Sequence, residues 1–287
     1  MCTTILLLLN FLFFDMKDIS PEYPYTECPS IDPDKDQILL VVVGSLRSLI
    51  FPSNQDLYFR NIVQSLQNNS NAQIHQIWYF SLGDASSWGD VKQSSPFPKA
   101  TMSDLQLMQA HNNVPLLEVY NASQLVYPDF VFSHNYRNCT GTDMHLPDGV
   151  YAQTYHLQSA INLALTYSDK CRVNWKYLVK SRPDWVCDLP LPLNLRLYDN
   201  HTEAVIIFDD NWRFPIGDQF YAMNKATTQK LFSDILYMHV NLPCEATPPG
   251  FYNSESYLRT LLIHHDIQMI GSSMNMCELK RLEAKGG

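Results

Sequence analysis

Two kinds of segment alternate along the chain, as judged from its hydrophobic and polar positions. Short runs of consecutive apolar residues predict strands buried on both faces, and longer stretches with apolar residues three or four positions apart predict helices. The predicted strands are Ile38–Val43, Ile74–Phe80, Pro115–Tyr120, Tyr177–Lys180, Ala204–Phe208, Asp218–Met223 and Ile267–Ile270. The predicted helices are Phe51–Leu66, Thr101–Asn112, Ala152–Tyr167, Thr227–Tyr237 and Glu255–His264.

This alternation of strand and helix predicts one α/β fold. Right-handed crossovers between successive strands favour a Rossmann-like, mostly parallel central sheet with helices on both faces. We assign residues 38–287 to this single domain. Residues 16–37 are rich in proline and acidic residues and have no periodicity, which predicts a linker or stem.

Residues 1–15 contain the longest apolar run, ILLLLNFLFF. As a helix it would span roughly 20 Å, which is too short to cross the ~30 Å hydrocarbon core of a bilayer. Its length suits a secretory leader, although no basic residue precedes it and no small-x-small cleavage site follows it. Two alternatives remain: a leader that directs the chain to the ER and Golgi lumen, or a cytoplasmic chain that starts at Met16.

Composition excludes some classes of protein. With 46% hydrophobic and 17% charged residues, the chain has enough apolar material for a large core. A net charge of −9 disfavours a nucleic-acid partner. Without the leader six cysteines remain, which could pair in an oxidising lumen or stay as buried thiols. They are Cys28, Cys139, Cys171, Cys187, Cys244 and Cys277, and glycosylation acceptor triplets begin at Asn68, Asn121, Asn138 and Asn200.

The strongest candidate for chemistry is the segment from Lys180 to Trp185, which leaves the carboxyl end of a buried strand. Open α/β sheets bind ligands at this edge. The guanidinium of Arg182 could grip a pyrophosphate, with Lys180 beside it, and the carboxylate of Asp184 could hold a sugar hydroxyl or a divalent cation. The alternative is an ordinary ion pair between Arg182 and Asp184.

A second candidate is the loop after the first strand, with Gly44 and Arg47. Backbone N–H groups and one cation at this position could contact a phosphate, although a plain turn would give the same sequence. Parallel strands bring their carboxyl ends together, so this loop and the one after Lys180 are expected to face one ligand.

Two carboxylates are candidates for a general base. Asp218 follows a glycine at the start of a predicted strand, and Glu255 begins a predicted helix. Either could deprotonate a hydroxyl, but an acid in the first turn of a helix is also favoured by the helix dipole alone. Trp185 and Trp212 lie near these motifs and are candidates for the core, although either could instead stack on a sugar or a base.

These motifs, in order, give the chain a family resemblance from about Ile38 to Ile270. GSLRS, a long helix with Gln153 and Tyr155, YLVKSRPDW, IGDQFYAM and a late helix opening at Glu255 together resemble GT-A type nucleotide-sugar glycosyltransferases. The resemblance implies transfer of a sugar from a nucleotide-sugar donor to a glycan or another hydroxyl acceptor.

The resemblance also implies roles for individual residues. Arg182 and Asp184 stand where such enzymes hold the nucleotide-sugar and a metal, so Mn²⁺ or Mg²⁺ would bind at Asp184. The Asp-x-Asp of metal-dependent members is absent here, which leaves metal dependence open. It also leaves open a second function, that of a non-catalytic carbohydrate- or nucleotide-binding protein of the same fold.

Overall fold

The computed structural model describes residues 28–45, 49, 52–81, 101–112, 116–120, 148–209, 219–232, 254–274 and 277–279. Its strands are β1 (Asp36–Ser45), β2 (Ala72–Ser81), β3 (Leu116–Tyr120), β4 (Trp175–Ser181), β5 (Trp185–Cys187), β6 (Val205–Asp209), β7 (Phe220–Asn224), β8 (Gln268–Ser272) and β9 (Cys277–Leu279). Its α-helices are α1 (Pro52–Tyr58), α2 (Ser65–Ser70), α3 (Met102–His111), α4 (Asp148–Cys171), α5 (Lys225–Phe232) and α6 (Ser254–His264). A π-helix (Phe59–Gln64) joins α1 to α2, and a 3₁₀-helix (Leu195–Tyr198) precedes β6.

Within these ranges, seven strands form one sheet in the order β3-β2-β1-β4-β7-β6-β8. All neighbouring strands are parallel except β7, which is antiparallel to both β4 and β6. From β1 the chain adds β2 and β3 on one side and β4 on the other. The strand order therefore reverses between β1 and β4, which makes this the topological switch point of the sheet.

The sheet is covered by helices on both faces, as β1 illustrates. Leu39 and Val41 are fully buried in the cluster that contains α4, whereas Leu40 and Val42 are fully buried against the helical segment 52–70. A strand with neither face in water needs consecutive apolar residues, which explains why this run does not alternate. The predicted α/β, Rossmann-like class with a mostly parallel sheet is confirmed.

The helical segment 52–70, predicted as one helix, consists of α1, the π-helix and α2. Asn61 lies in the π-helix and is buried. Its Nδ2 donates to the carbonyl of Cys187 at 2.7 Å, and its backbone carbonyl accepts from the amide of Leu191 at 2.7 Å. The segment therefore fixes the chain where it leaves β5.

β5 and β9 form a separate two-stranded antiparallel sheet that the sequence did not predict. Cys187 and Cys277 lie directly opposite each other in it and form a disulfide. A second disulfide joins Cys28 to Cys171 at the end of α4. It ties residues 28–35, the end of the predicted stem, to the folded unit, and β1 begins two residues before the predicted domain start.

The longest helix in the described ranges is α4, with 24 residues. Tyr155, Ile161 and Ala164 are buried on its sheet-facing side, while Thr166 is exposed. Among the described helices, none has both the length and the apolar character that crossing a bilayer requires.

Candidate functional site

Two chain segments meet at the carboxyl ends of β1 and β4. The strands are parallel neighbours in which Val42 lies opposite Ser181. Beyond Ser181 the chain continues through Arg182, Pro183 and Asp184 into β5. Both ends lie at the topological switch point, on either side of which the chain adds its later strands. Open α/β sheets bind their ligands at this point.

Gly44 brings the end of β1 close to the segment after β4. Its φ of +144° lies in the region that favours glycine, and a Cβ on it would lie 3.2 Å from Cδ of Pro183. Both features disfavour any side chain at this position. The two segments therefore lie side by side at Gly44, that they face one ligand stays a prediction, and Arg47 lies outside the described residues.

Arg182 and Asp184 form a two-point ion pair. Nε of Arg182 donates to Oδ1 of Asp184, and its Nη2 donates to Oδ2, both at 2.8 Å. The side chain of Asp184 is 5% exposed and that of Arg182 is 22% exposed. The ion pair that the sequence allowed is therefore formed, with its carboxylate buried and its guanidinium reaching toward solvent.

Lys180 contributes a second cation near the same edge. Its side chain is buried, and its Nζ lies 5.5 Å from the centre of the Tyr221 ring. Tyr221 lies directly opposite Lys180 in the antiparallel pair of β4 and β7. The ring face stabilises the ammonium group electrostatically, and an anion near a poorly hydrated cation is bound more strongly than in water.

The sequence analysis missed Gln219, which precedes β7. Its backbone carbonyl accepts from the amide of Arg182 at 2.9 Å. Its side chain is buried, and within the described part of the chain its Oε1 has no hydrogen-bond partner. The only sign of Gln219 in the sequence was its place in IGDQFYAM, directly after the ionisable Asp218.

Tyr58 supports the site from the face covered by the helical segment 52–70. It is fully buried, and burial raises the pKa of its hydroxyl well above the usual value, while Ser181 beside it offsets part of this increase. The hydroxyl therefore stays protonated at neutral pH. The sequence carried as little sign of Tyr58 as of Gln219, because a tyrosine on the apolar face of a helix predicts only core packing.

The described residues do not supply a ready metal site. None of their histidine, cysteine, aspartate and glutamate side chains form a group of three or more suited to a metal ion. Both oxygens of Asp184, the predicted metal ligand, are already engaged by Arg182. Divalent cations need several oxygen ligands, so a single paired carboxylate fits such an ion poorly.

The remaining predicted residues are placed less completely. Asp218 and Trp212 lie outside the described residues, and only the helical position of Glu255 is described. Three residues separate the end of α6 from β8. Of the two alternatives for Trp185, the structure shows the core one, because Trp185 is fully buried and stacks on Phe220 at 4.5 Å.

No family model matches the chain, and no curated protein matches it significantly. Among solved structures, a nucleoside-diphosphate-sugar pyrophosphorylase from Vibrio cholerae RC9 is similar to it, with a TM-score of 0.39 and 10% sequence identity. The match covers 84% of this chain and 93% of that chain. A similarity of this size does not bear on substrate or activity.

Proposed function

We propose that this protein is a glycosyltransferase that binds a nucleotide-sugar at the carboxyl ends of β1 and β4 and transfers the sugar to a hydroxyl group of a glycan or another acceptor. The observation that carries the proposal is the convergence of Gly44, Lys180 and the Arg182–Asp184 pair at the topological switch point. Close backbone approach and two cations near the carboxyl end of one strand suit a ligand that carries phosphates.

In this mechanism, Lys180 and Arg182 stabilise the negative charge that develops on the departing nucleoside diphosphate. Asp218 accepts the proton of the attacking hydroxyl. The next residue, Gln219, supports this role. Its carbonyl accepts a hydrogen bond from the Arg182 amide, so the start of the β7 segment lies beside the Arg182–Asp184 pair. Glu255, at the start of α6, is the alternative base, and the dipole of that helix gives it a purely structural role as well.

The first arm of the test measures binding. Nucleoside diphosphates of uridine, guanosine, cytidine and adenosine are added with and without Mn²⁺, and at least one should raise the melting temperature of the parent protein. The double variant Arg182→Gln with Asp184→Asn should fold and lose that shift. Both partners are changed because removing one alone would leave the other charge unpaired in a buried site.

The matched control is Lys176→Gln with Asp199→Asn. This ion pair, at 3.0 Å, lies near the amino end of β4, so its loss should leave the ligand-induced shift unchanged. A nucleotide-binding site elsewhere would give the opposite result, with the Arg182–Asp184 variant shifting like the parent.

The second arm measures single-turnover transfer with the donor whose nucleotide binds. Asp218→Asn should lower the rate by ~10²–10⁴-fold, the usual contribution of a positioned base, and Glu255→Gln should lower it less. The reverse order would move the base to Glu255. Nucleotide binding without transfer from any donor would favour a non-catalytic binding protein of the same fold.

We also infer that the chain matures in the oxidising lumen of the secretory pathway, because the described residues contain two disulfides. Asn68 and Asn200, which begin two acceptor triplets, are exposed and would be open to glycosylation there. Expression in a eukaryotic secretory host should give a product that loses mass with an N-glycan-cleaving enzyme. A cytosolic product with reactive Cys187 and Cys277 thiols would contradict this inference.

A further inference from the structure

The geometry of the Arg182–Asp184 pair distinguishes between two roles for the carboxylate of Asp184: a metal ligand, and a residue that orients Arg182. As a metal ligand, Asp184 would have to direct its oxygens toward a cation held in common with the phosphates. Both oxygens instead accept hydrogen bonds from Arg182, and the carboxylate is 5% exposed. The geometry is that of a carboxylate that fixes the plane of a guanidinium.

Releasing Asp184 to a metal would be costly in this setting. The guanidinium would lose its two short charge-assisted bonds, and its charge would stay close to the incoming cation. Magnesium and manganese also prefer several oxygen ligands, and the described residues offer no cluster of carboxylates to supply them.

The side chain of Arg182 is 22% exposed, so a ligand can reach it from solvent while Asp184 holds it in place. A guanidinium held in a fixed plane loses less conformational freedom when it binds a phosphate than one that must first be ordered. Lys180, two residues earlier in the chain, adds a second positive charge near the carboxyl end of β4.

We propose that Asp184 is a positioning residue that orients Arg182, and that the nucleoside diphosphate is held by these cationic side chains without a divalent cation bound at Asp184. This inference rests on the proposed function and names the means by which its site holds phosphates. It departs from the metal role that the resemblance implies for Asp184.

The experiment measures the affinity of the parent protein for the nucleoside diphosphates of uridine, guanosine, cytidine and adenosine by titration calorimetry, first in excess chelator and then in saturating Mn²⁺. The dissociation constant of the best ligand should agree within about threefold between the two conditions, because no binding energy depends on the metal. Asp184→Asn should weaken binding by about tenfold in both conditions, since the charged anchor of Arg182 is lost.

Two further variants distinguish positioning from a general loss of structure. Asp184→Glu keeps a carboxylate and should recover part of the affinity. Arg182→Lys keeps Asp184 intact and should still weaken binding, because an ammonium cannot reproduce the planar fork of a guanidinium. This variant also tests the inference if Asp184→Asn fails to fold. The control is Asp188→Asn, an exposed carboxylate four positions further along, which should bind like the parent.

The inference is overturned if the parent binds tightly only with Mn²⁺ and Asp184→Asn removes that dependence, or if Asp184→Asn or Arg182→Lys binds like the parent in chelator. In those cases nucleotide binding, and with it the proposed function, still stands. If no nucleoside diphosphate binds in either condition, the proposed function fails and this inference fails with it.

Discussion

His75 is a buried histidine whose hydrogen bonds fix its tautomer. Nε2 of Gln37 donates to the carbonyls of Asp32 and Lys35, so Oε1 of Gln37 acts as an acceptor. Nε2 of His75, 2.7 Å from that oxygen, must then donate, and its Nδ1 accepts from the hydroxyl of Tyr167 at 3.2 Å. The ring is therefore neutral, and burial lowers the pKa of His75 to about 4.

This pKa predicts a stability that falls in mild acid. The unfolded histidine binds a proton near pH 6.5, while the folded one does so only near pH 4, so the free energy of unfolding decreases as the pH falls through that window. At ~1.4 kcal/mol per pKa unit, His75 accounts for at most about 3 kcal/mol. His156 acts in the same direction, because burial lowers its pKa to about 3. Urea unfolding at a series of pH values measures the effect.

The control uses a histidine at the surface. His75→Gln should make the pH dependence shallower, whatever its effect on stability at neutral pH, and His264→Gln at the exposed end of α6 should leave it unchanged. An unaltered slope in His75→Gln would show that another group controls the acid transition.

For individual residues, the sequence predicted location better than role. Lys180, Arg182 and Asp184 lie at a strand end, and Gly44 lies at the switch point, because apolar runs mark where strands stop. The ion pair that engages both oxygens of Asp184 depends on side-chain geometry that no spacing encodes. The sequence left two alternatives for Trp185 for the same reason, since an aromatic residue after a strand can face a ligand or the core.

The β5–β9 sheet is an element whose stability depends on a covalent link. Each strand has three residues, and such a short two-stranded ladder is marginal by itself. The disulfide between Cys187 and Cys277 holds it together, and β5 begins directly after Asp184. The position of the Arg182–Asp184 segment therefore depends on this link.

Replacing Cys187 and Cys277 together by serine should lower the free energy of unfolding by ~2–5 kcal/mol and also weaken nucleoside diphosphate binding. Urea unfolding and titration calorimetry measure the two effects. The matched control replaces Cys28 and Cys171 together by serine. Their disulfide also closes a long loop, but it lies near the amino ends of the strands. This control variant should lower stability and leave affinity unchanged; an equal loss of affinity in both variants would contradict the positional role of β5.

Elements differ in how well sequence predicts them. β1, β2, β4 and α4 lie where their patterns predicted, because burial on one face leaves a periodic pattern and burial on two faces leaves a continuous apolar run. β5 and β9 leave none, because each is three residues long and its partner is 90 residues away. The π-helix also leaves no pattern in the sequence. The buried polar residue in it, Asn61, is explained only by its hydrogen bond to a carbonyl on β5.

In the molecule as a whole, the alternation of elements predicted the fold class because a helix between two strands returns the chain to the edge where the first strand began, which makes the strands parallel. It predicted neither the place of β4 beside β1 nor the reversed direction of β7. These depend on which sheet edges become available as the chain collapses, and local patterns do not carry that information. The site depends on the first of these features, because the switch point exists only where β4 meets β1.

The pairing of β1 with β4 also sets the order in which the chain can complete its sheet during synthesis. β2 and β3 follow β1 closely, but Trp175, where β4 begins, emerges from the ribosome 130 residues after Ser45. At ~5–20 residues per second, the second edge of β1 waits for roughly 6–26 seconds. For that interval one edge of a mostly apolar strand carries unpaired N–H and C=O groups, the condition in which nascent chains aggregate or are held by chaperones.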